Sequence, residues 1–207
     1  MTLTLIAMNV VSFLLQRAPG LEWQQALIFA PFIGEVEPWR FLTAAFLHDP
    51  GFLFHLLFNM YALWILGEAL ENALGRARFL SLYLLSAVGG NLMVTLLASP
   101  TGDSWWTGVL GASGAVFGLF GALLLVLRRL GRSARQVVVI IGINAVLGFV
   151  IPRIAWEAHL GGLLVGAALG AAYAYAPRTR RRQVAIGATV LTAVVLVAVA
   201  LLRYATA

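Results

Sequence analysis

Residues 184–203 read VAIGATVLTAVVLVAVALLR, with no charged side chain before Arg203. A helix that crosses a bilayer needs roughly 17–25 mostly apolar residues, and this run supplies them. Immediately upstream stand Arg178, Arg180, Arg181 and Arg182, a basic block of the kind that flanks a span on its cytoplasmic side. Moving toward the N-terminus, apolar runs and short punctuation keep alternating. Further spans are expected near 2–16, 53–71, 79–98, 113–127, 136–151 and 158–176. They are separated by Arg17, the Arg76/Arg78 pair, Ser99-Pro100-Thr101-Gly102, Arg128-Arg129 and Pro152-Arg153. The period-2 alternation of a membrane barrel is missing, so the spans are helices. The expected fold is an all-α polytopic membrane protein with seven spans.

Composition agrees. The chain has 207 residues, 61% hydrophobic and 11% charged, against roughly 45–50% and about 25% in ordinary soluble domains. A soluble fold of this size cannot hide so much apolar surface, which excludes a soluble enzyme, a secreted module and a disordered tail. Cysteine is absent, so disulfides and thiolate metal sites drop out, and no cofactor is expected. All 14 basic residues are Arg against 8 acids, a net charge of +6. They cluster between apolar runs, where they set membrane orientation rather than bind nucleic acid. The opening MTLTLIAMNVVSFLLQ has no basic n-region and no A-x-A site, so it reads as a first span rather than a cleaved signal.

Orientation follows from the arginines. The loops after spans 2, 4 and 6 carry ten of them, and the opposite side carries four: Arg17, Arg40, Arg153 and Arg203. The richer side, with the N-terminus, is expected in the cytoplasm. Trp23, Trp39, Trp105, Trp106 and Trp156 then fall at the outer interface, as an aromatic belt. The long outer loop 17–52, with LEWQQALIFAPFIG, is expected to lie in that interface.

Polar groups inside spans are costly and therefore candidates for function. Spans 2, 4 and 6 hold His55 and Asn59, Ser113, and His159 in their outer halves. At 1.5 Å per helical residue, counting from the inner ends, Ser113 comes out about 22 Å up, His159 about 27 Å, His55 about 24 Å and Asn59 about 18 Å. Four polar groups from three helices share one layer. Span 4 is short and opens at Gly111-Ala112-Ser113-Gly114, which puts a hydroxyl at a helix N-terminus with its free N–H groups. Gly114, Gly118 and Gly121 face Gly162, Gly166 and Gly170 as small residues at three- and four-residue spacing, the pattern of closely packed membrane helices. Such packing would bring Ser113 to His159. A serine hydroxyl becomes a nucleophile when a neutral His takes its proton. Backbone N–H groups, the Asn59 amide and the His55 ring would stabilise an oxyanion. Glu157 lies on another helix face and Asp49 and Asp103 in outer loops, so the pair would be a dyad; GASGA is not the G-x-S-x-G elbow. From the residues alone, helix packing and catalysis both stay open for Ser113 and His159.

The motifs resemble those of the rhomboid family of intramembrane serine proteases. They are Glu37-Pro38-Trp39-Arg40 in the outer loop, His55-Leu56-Leu57-Phe58-Asn59, Gly67 through Glu71 to Gly75, Gly111-Ala112-Ser113-Gly114, and Ala158-His159-Leu160-Gly161-Gly162 with Gly166. The resemblance covers roughly residues 3–176. It implies a six-helix core over 1–176, with Ser113 as nucleophile, His159 as base and acid, and Asn59, His55 and the Ser113 N–H as oxyanion hole. Gly111, Gly114 and Phe117 would pack around substrate and dyad, with Phe117 against the His159 ring but offering no hydroxyl. Trp39, Arg40, Gly162 and Gly166 would be structural. Substrates would be single-span or polytopic membrane proteins in the bilayer of a bacterial inner membrane, approaching near spans 2 and 5. Residues 177–183 would be a cytoplasmic Arg-rich linker and 184–207 an additional helix. A catalytically silent rhomboid-like binder of membrane helices is the alternative, with a small transporter or channel behind it.

The remaining polar groups carry structural expectations. Glu68 and Glu71 are expected to pair with Arg76 or Arg78, and Arg40 with Glu37 to tie down the outer loop. Asn91 and Asn144 are expected to bond between helices. His48 beside Asp49 does not make a metal site.

Overall fold

A computed structural model describes residues 1–151 and 154–207. Seven long helices carry the fold: α1 Thr2–Leu15, α2 Leu53–Leu74, α3 Arg76–Leu97, α4 Ser113–Arg129, α5 Arg135–Val150, α6 Trp156–Tyr175 and α7 Arg181–Ala205. Strands are absent among the described residues, apart from one bridge pairing Phe29 with Val109. Leu53–Leu74, Arg76–Leu97, Trp156–Tyr175 and Arg178–Ala205 are long and apolar enough to cross a membrane. Thr2–Leu15 and Arg135–Val150 are shorter apolar helices. The protein is a polytopic membrane protein. Pro152 and Arg153, the expected break before the sixth span, lie outside the described residues.

Three boundaries differ from expectation: the second helix runs to Leu74 rather than ending near residue 71, and two helix starts move, each for a local reason. The third helix starts at Arg76 rather than near residue 79, because Gly75 alone separates α2 from α3. Its φ of 85° reverses the chain in a region costly for any residue with a Cβ. The seventh helix starts at Arg181, so Arg181 and Arg182 sit in its first turn and only Ala176, Pro177 and the turn Arg178–Arg180 connect it to α6.

The centre of the molecule is a three-helix seam. The α4–α6 pair makes the most extensive contact, and α3 packs on both. A Cβ on Gly162 would overlap the Gly114 carbonyl, and one on Gly166 would overlap the Gly118 backbone. A Cβ on Gly121 would lie 2.6 Å from the Leu163 oxygen. The two expected glycine stripes therefore touch backbone to backbone. On α3, a Cβ on Gly90 would lie 2.8 Å from the Ala158 oxygen, and one on Gly161 would overlap the Gly89 carbonyl. That third face escaped the sequence reading, although an adjacent Gly pair inside an apolar run was the signal. Tyr83, Phe79, Leu82, Leu119 and Leu169 fill the interior around the seam.

Polar contacts fix the periphery. The Glu71 carboxylate accepts from the Met1 amino group and from the Thr2 N–H and hydroxyl, each at 2.8 Å. Arg76 reaches it at 3.5 Å, from a largely exposed position. The start of α1, rather than an arginine, is thus the main partner of Glu71, since unpaired N–H groups at a helix start attract a carboxylate. Glu68 is exposed and forms no ion pair among the described residues. Asn91 on α3 donates to the Phe41 carbonyl at 2.9 Å, as expected of a cross-element bond. Asn144 instead donates to Ile140 one turn back on its own helix, because α5 has little packed against it. Only Val137 and Gly148 of α5 are buried.

Candidate active site

The N-terminal ends of α2, α4 and α6 meet beneath the 17–52 loop. That loop folds into short helices Trp23–Leu27, Pro31–Gly34 and Arg40–Thr43, followed by a 3-10 turn at Ala44–Phe46. Arg40 stitches it together, with Nε on Glu37 at 2.5 Å and Nη1 on the Gln25 and Ile28 carbonyls at 2.6 and 2.8 Å. Trp39 stays half-exposed at the rim.

Ser113 is the first residue of α4. Gly111 just before it has φ 129°, which only glycine adopts without strain, and its N–H donates to the Ala44 carbonyl at 2.9 Å. A Cβ at Gly111 would lie 2.9 Å from His55 Nε2 and 3.7 Å from Ser113 Oγ. The His55 ring and the Ser113 hydroxyl thus border the same small space, which glycine keeps open.

His55, in the first turn of α2, accepts the Asp49 N–H at Nδ1 over 3.2 Å. Accepting at Nδ1 puts the proton of the neutral ring on Nε2. A donor is therefore aimed at the Gly111–Ser113 corner. One turn on, buried Asn59 gives one of its two amide hydrogens to the His55 carbonyl at 2.8 Å. The second hydrogen remains available.

His159 enters from α6. Its ring lies face to face with Phe117, centroids 4.1 Å apart and planes 7° from parallel. A Cβ on Gly114 would sit 3.2 Å from the Ala158 oxygen. The backbones of α4 and α6 hence touch at the residues adjoining Ser113 and His159, at one level of the bundle. Among the described residues, His159 Nδ1 is buried and unpaired, and no hydrogen bond joins Ser113 to His159. Ser113, His55 and His159 are all partly exposed, so the corner is open to a reactant.

The sequence reading considered His48 only as a failed metal ligand, and the structure gives it a different place. It is fully buried, both ring nitrogens lack partners among the described residues, and the ring meets His55 at 5.1 Å between centroids. Burial, and secondarily the neighbouring His55, pushes its pKa down to about 3, so the ring is neutral. Gln16 at the end of α1 clamps His48 from both sides. Its amide donates to the His48 carbonyl at 2.8 Å and its oxygen accepts the His48 N–H at 2.9 Å. The one available signal was a histidine in an otherwise apolar AAFLH stretch, too weak to weigh.

Comparison with known proteins fits this arrangement. A family model described as the rhomboid domain matches residues 35–176. The rhomboid protease GluP of Bacillus subtilis is 34% identical over 96% of this chain and 39% of its own length. The putative rhomboid protease YdcA of the same organism is 38% identical over 63% of this chain and 64% of its own. RHOMBOID-like protein 5 of Arabidopsis thaliana is 37% identical over 67% and 45% respectively. The alignments thus span between 39% and 64% of the lengths of these relatives. The family match spans most of the chain, from the outer loop through the end of α6, and the chain belongs to the rhomboid family.

Proposed function

We propose that this protein is an intramembrane serine endopeptidase that cuts membrane-spanning substrates with a Ser113–His159 dyad. Ser113 Oγ attacks the scissile carbonyl while His159 takes its proton. His159 then returns that proton to the departing amine, and a water repeats the cycle to free the acyl group. The tetrahedral oxyanion receives the Ser113 N–H, the free Asn59 amide hydrogen and the His55 Nε2–H. Phe117 fixes the plane of the His159 ring by stacking on it. His159 acts as base only when neutral, so turnover falls as pH drops through its pKa.

The observation that carries this reading is the corner at Gly111, where the His55 Nε2 donor and the Ser113 hydroxyl border one gap. The family relationship and the rhomboid proteases among the relatives support it. Substrate helices approach sideways between α2 and α5. The α2 residues Phe54, Phe58, Tyr61 and Trp64 are exposed, as are Val146, Phe149 and Val150 of α5, and the two helices make no extensive contact. The protein sits in a membrane with its N-terminus in the cytoplasm, an orientation supported by the ten-to-four arginine bias.

The test is incubation of the solubilised protein with a single-span substrate, wild type beside Ser113→Ala. Cleavage by wild type alone supports the peptidase. Capture of the helix without cleavage by either would make the chain a silent binder. Equal labelling of both by a serine-reactive fluorophosphonate would remove Ser113 as nucleophile.

A further inference from the structure

The last turn of α7 is set apart from the rest of that helix. Along its length only Ala185 and Leu196 are buried, and most of its surface faces outward. At its outer end two polar side chains turn inward. Arg203 donates from Nε to the Thr95 carbonyl at 3.1 Å and from Nη2 to the Ala98 carbonyl at 2.8 Å. These are oxygens at the end of α3, where helix carbonyls lack partners and a cation is favoured. The guanidinium carbon also lies 5.1 Å from the centre of the Trp105 ring, in cation–π range. Tyr204 donates its hydroxyl to the Pro31 carbonyl at 2.8 Å. Its ring meets Phe41 edge-on at 6.5 Å and Trp105 at 6.0 Å. An Arg-Tyr pair ending an apolar run would ordinarily anchor to lipid headgroups. Here both groups bond to backbone of the outer loops and α3.

Those loops lead to the serine. Tyr204 rests on Phe41, which packs on fully buried Phe29 at 4.4 Å. Phe29 and Val109 exchange both backbone hydrogen bonds, at 3.2 and 2.6 Å. Gly111 follows two residues later and bonds to Ala44, then Ser113 opens α4. Gly34 marks how tightly the junction is closed. A Cβ there would overlap the Tyr204 hydroxyl and lie 2.8 Å from ring carbons of both Phe29 and Phe41.

We infer that Arg203 and Tyr204 are positioning residues for the Ser113 loop, so that α7 acts as a strut locking segments 27–31 and 105–111 in the register the dyad requires. The inference rests on the peptidase reading for its kinetic consequence but not for its structural one. Displacing reacting groups by about 1 Å costs on the order of 10²-fold in rate, so loosening this junction should act on turnover. Ground-state capture of the substrate helix, on the α2 and α5 side, should be spared.

The experiment compares wild type, Tyr204→Phe, Tyr204→Ala and Arg203→Leu as full-length protein in lipid vesicles. Three quantities are read: kcat and KM on a single-span substrate, the fluorophosphonate labelling rate of Ser113, and hydrogen exchange at the Phe29 and Val109 amides. Tyr204→Ala and Arg203→Leu should each lower kcat and labelling about tenfold with KM within about twofold, a loss confined to transition-state geometry. The Phe29 and Val109 amides should exchange faster. Tyr204→Phe, which keeps the stacking and loses only the bond to Pro31, should fall between them and wild type; it also serves if Tyr204→Ala does not fold. Wild-type kcat and labelling accompanied by a lowered melting temperature would overturn the inference, as would a change in KM alone. If wild type is neither active nor labelled, the peptidase reading fails. Faster exchange in the variants would then still uphold the strut, and unchanged exchange would overturn it.

Discussion

The α4–α6 seam and the helix α5 are built from similarly apolar sequence, yet one is closed backbone to backbone and the other barely touches its neighbours. In the seam, Gly162 and Gly166 leave no room for a Cβ, because the atoms they meet are carbonyls and α-carbons of the facing helix, while a Cβ on Gly118 would overlap the Ser86 side chain of α3 and one on Gly114 would press on the Ala158 carbonyl at 3.2 Å. On α5, Gly142 has nothing within 4 Å of where a Cβ would be, and the residues around it face outward. Lipid is as apolar as leucine, so burial gives helices in a bilayer little reason to associate. Close approach through small residues does, and only when both partners supply it in register. On the proposed function, rigidity falls where a hydroxyl and an imidazole are to be held, and looseness where a substrate helix would pass.

The comparison breaks first if the seam does not carry the chemistry. Ser113→Ala should lower cleavage of a single-span substrate by more than about 10⁴-fold, since removing a nucleophile disables the whole unit. A quantitative assay in detergent checks it; residual turnover within tenfold of wild type would move the nucleophile elsewhere. Gly166→Val should follow closely as a loss of fold. Its side chain would have to displace the Gly118 backbone, a strain expected to exceed about 4 kcal/mol. Thermal unfolding in detergent measures this, with Gly142→Val as the matched control expected to melt like wild type. If the two variants behave alike, the contrast between seam and periphery is wrong.

The next two effects sharpen the comparison. Asn59→Ala should lower kcat by about 10²-fold with little change in KM, the mark of an oxyanion donor. Reversed proportions would assign Asn59 to substrate binding. His48 tests whether the loop over the seam is as closed as the seam itself. Its folded pKa is lowered from 6.5 to about 3, so between those values the unfolded chain binds the proton and the folded one does not. Stability from its burial is therefore complete above about pH 6.5 and is lost as pH falls toward 3, at up to about 1.4 kcal/mol per unit. Melting temperature should decline from pH 6.5 to 4.5 in wild type and decline less in His48→Phe. Equal slopes would show that another group dominates.

These contrasts also separate what could be read from the sequence from what could not. The α4 and α6 stripes were legible because small residues three and four apart repeat on both helices, and periodicity survives without coordinates. The Gly89-Gly90 face of α3 was not, since a single pair has no period. The expectation of a common depth for His55, Asn59, Ser113 and His159 needed only helical rise. The fixed His55 tautomer did not, because it depends on the Asp49 N–H arriving from a loop whose path no pattern encodes. Arg203 and Tyr204 read as an interfacial anchor for the same reason. Their partners lie 105 and 173 positions away in sequence, and burial of a polar tip by distant backbone has no local signature.

The smallest expected effect is the most discriminating. Val146 and Phe149 on α5 are 62% and 69% exposed, so trimming either to Ala removes little packing and should change stability by less than about 0.5 kcal/mol. Fluorophosphonate labelling of Ser113 should also match wild type, because the small probe does not depend on a helix entering sideways. Cleavage of a single-span substrate, in contrast, should change through KM, since on the proposed route that substrate passes α5 before it reaches the serine. Measuring labelling, melting and KM on the same two variants distinguishes the alternatives. If KM stays fixed while labelling changes, α5 acts on the dyad and not on substrate approach. If melting falls by several degrees, α5 is part of the sealed core, and the division of the molecule into a rigid seam and a loose edge does not hold.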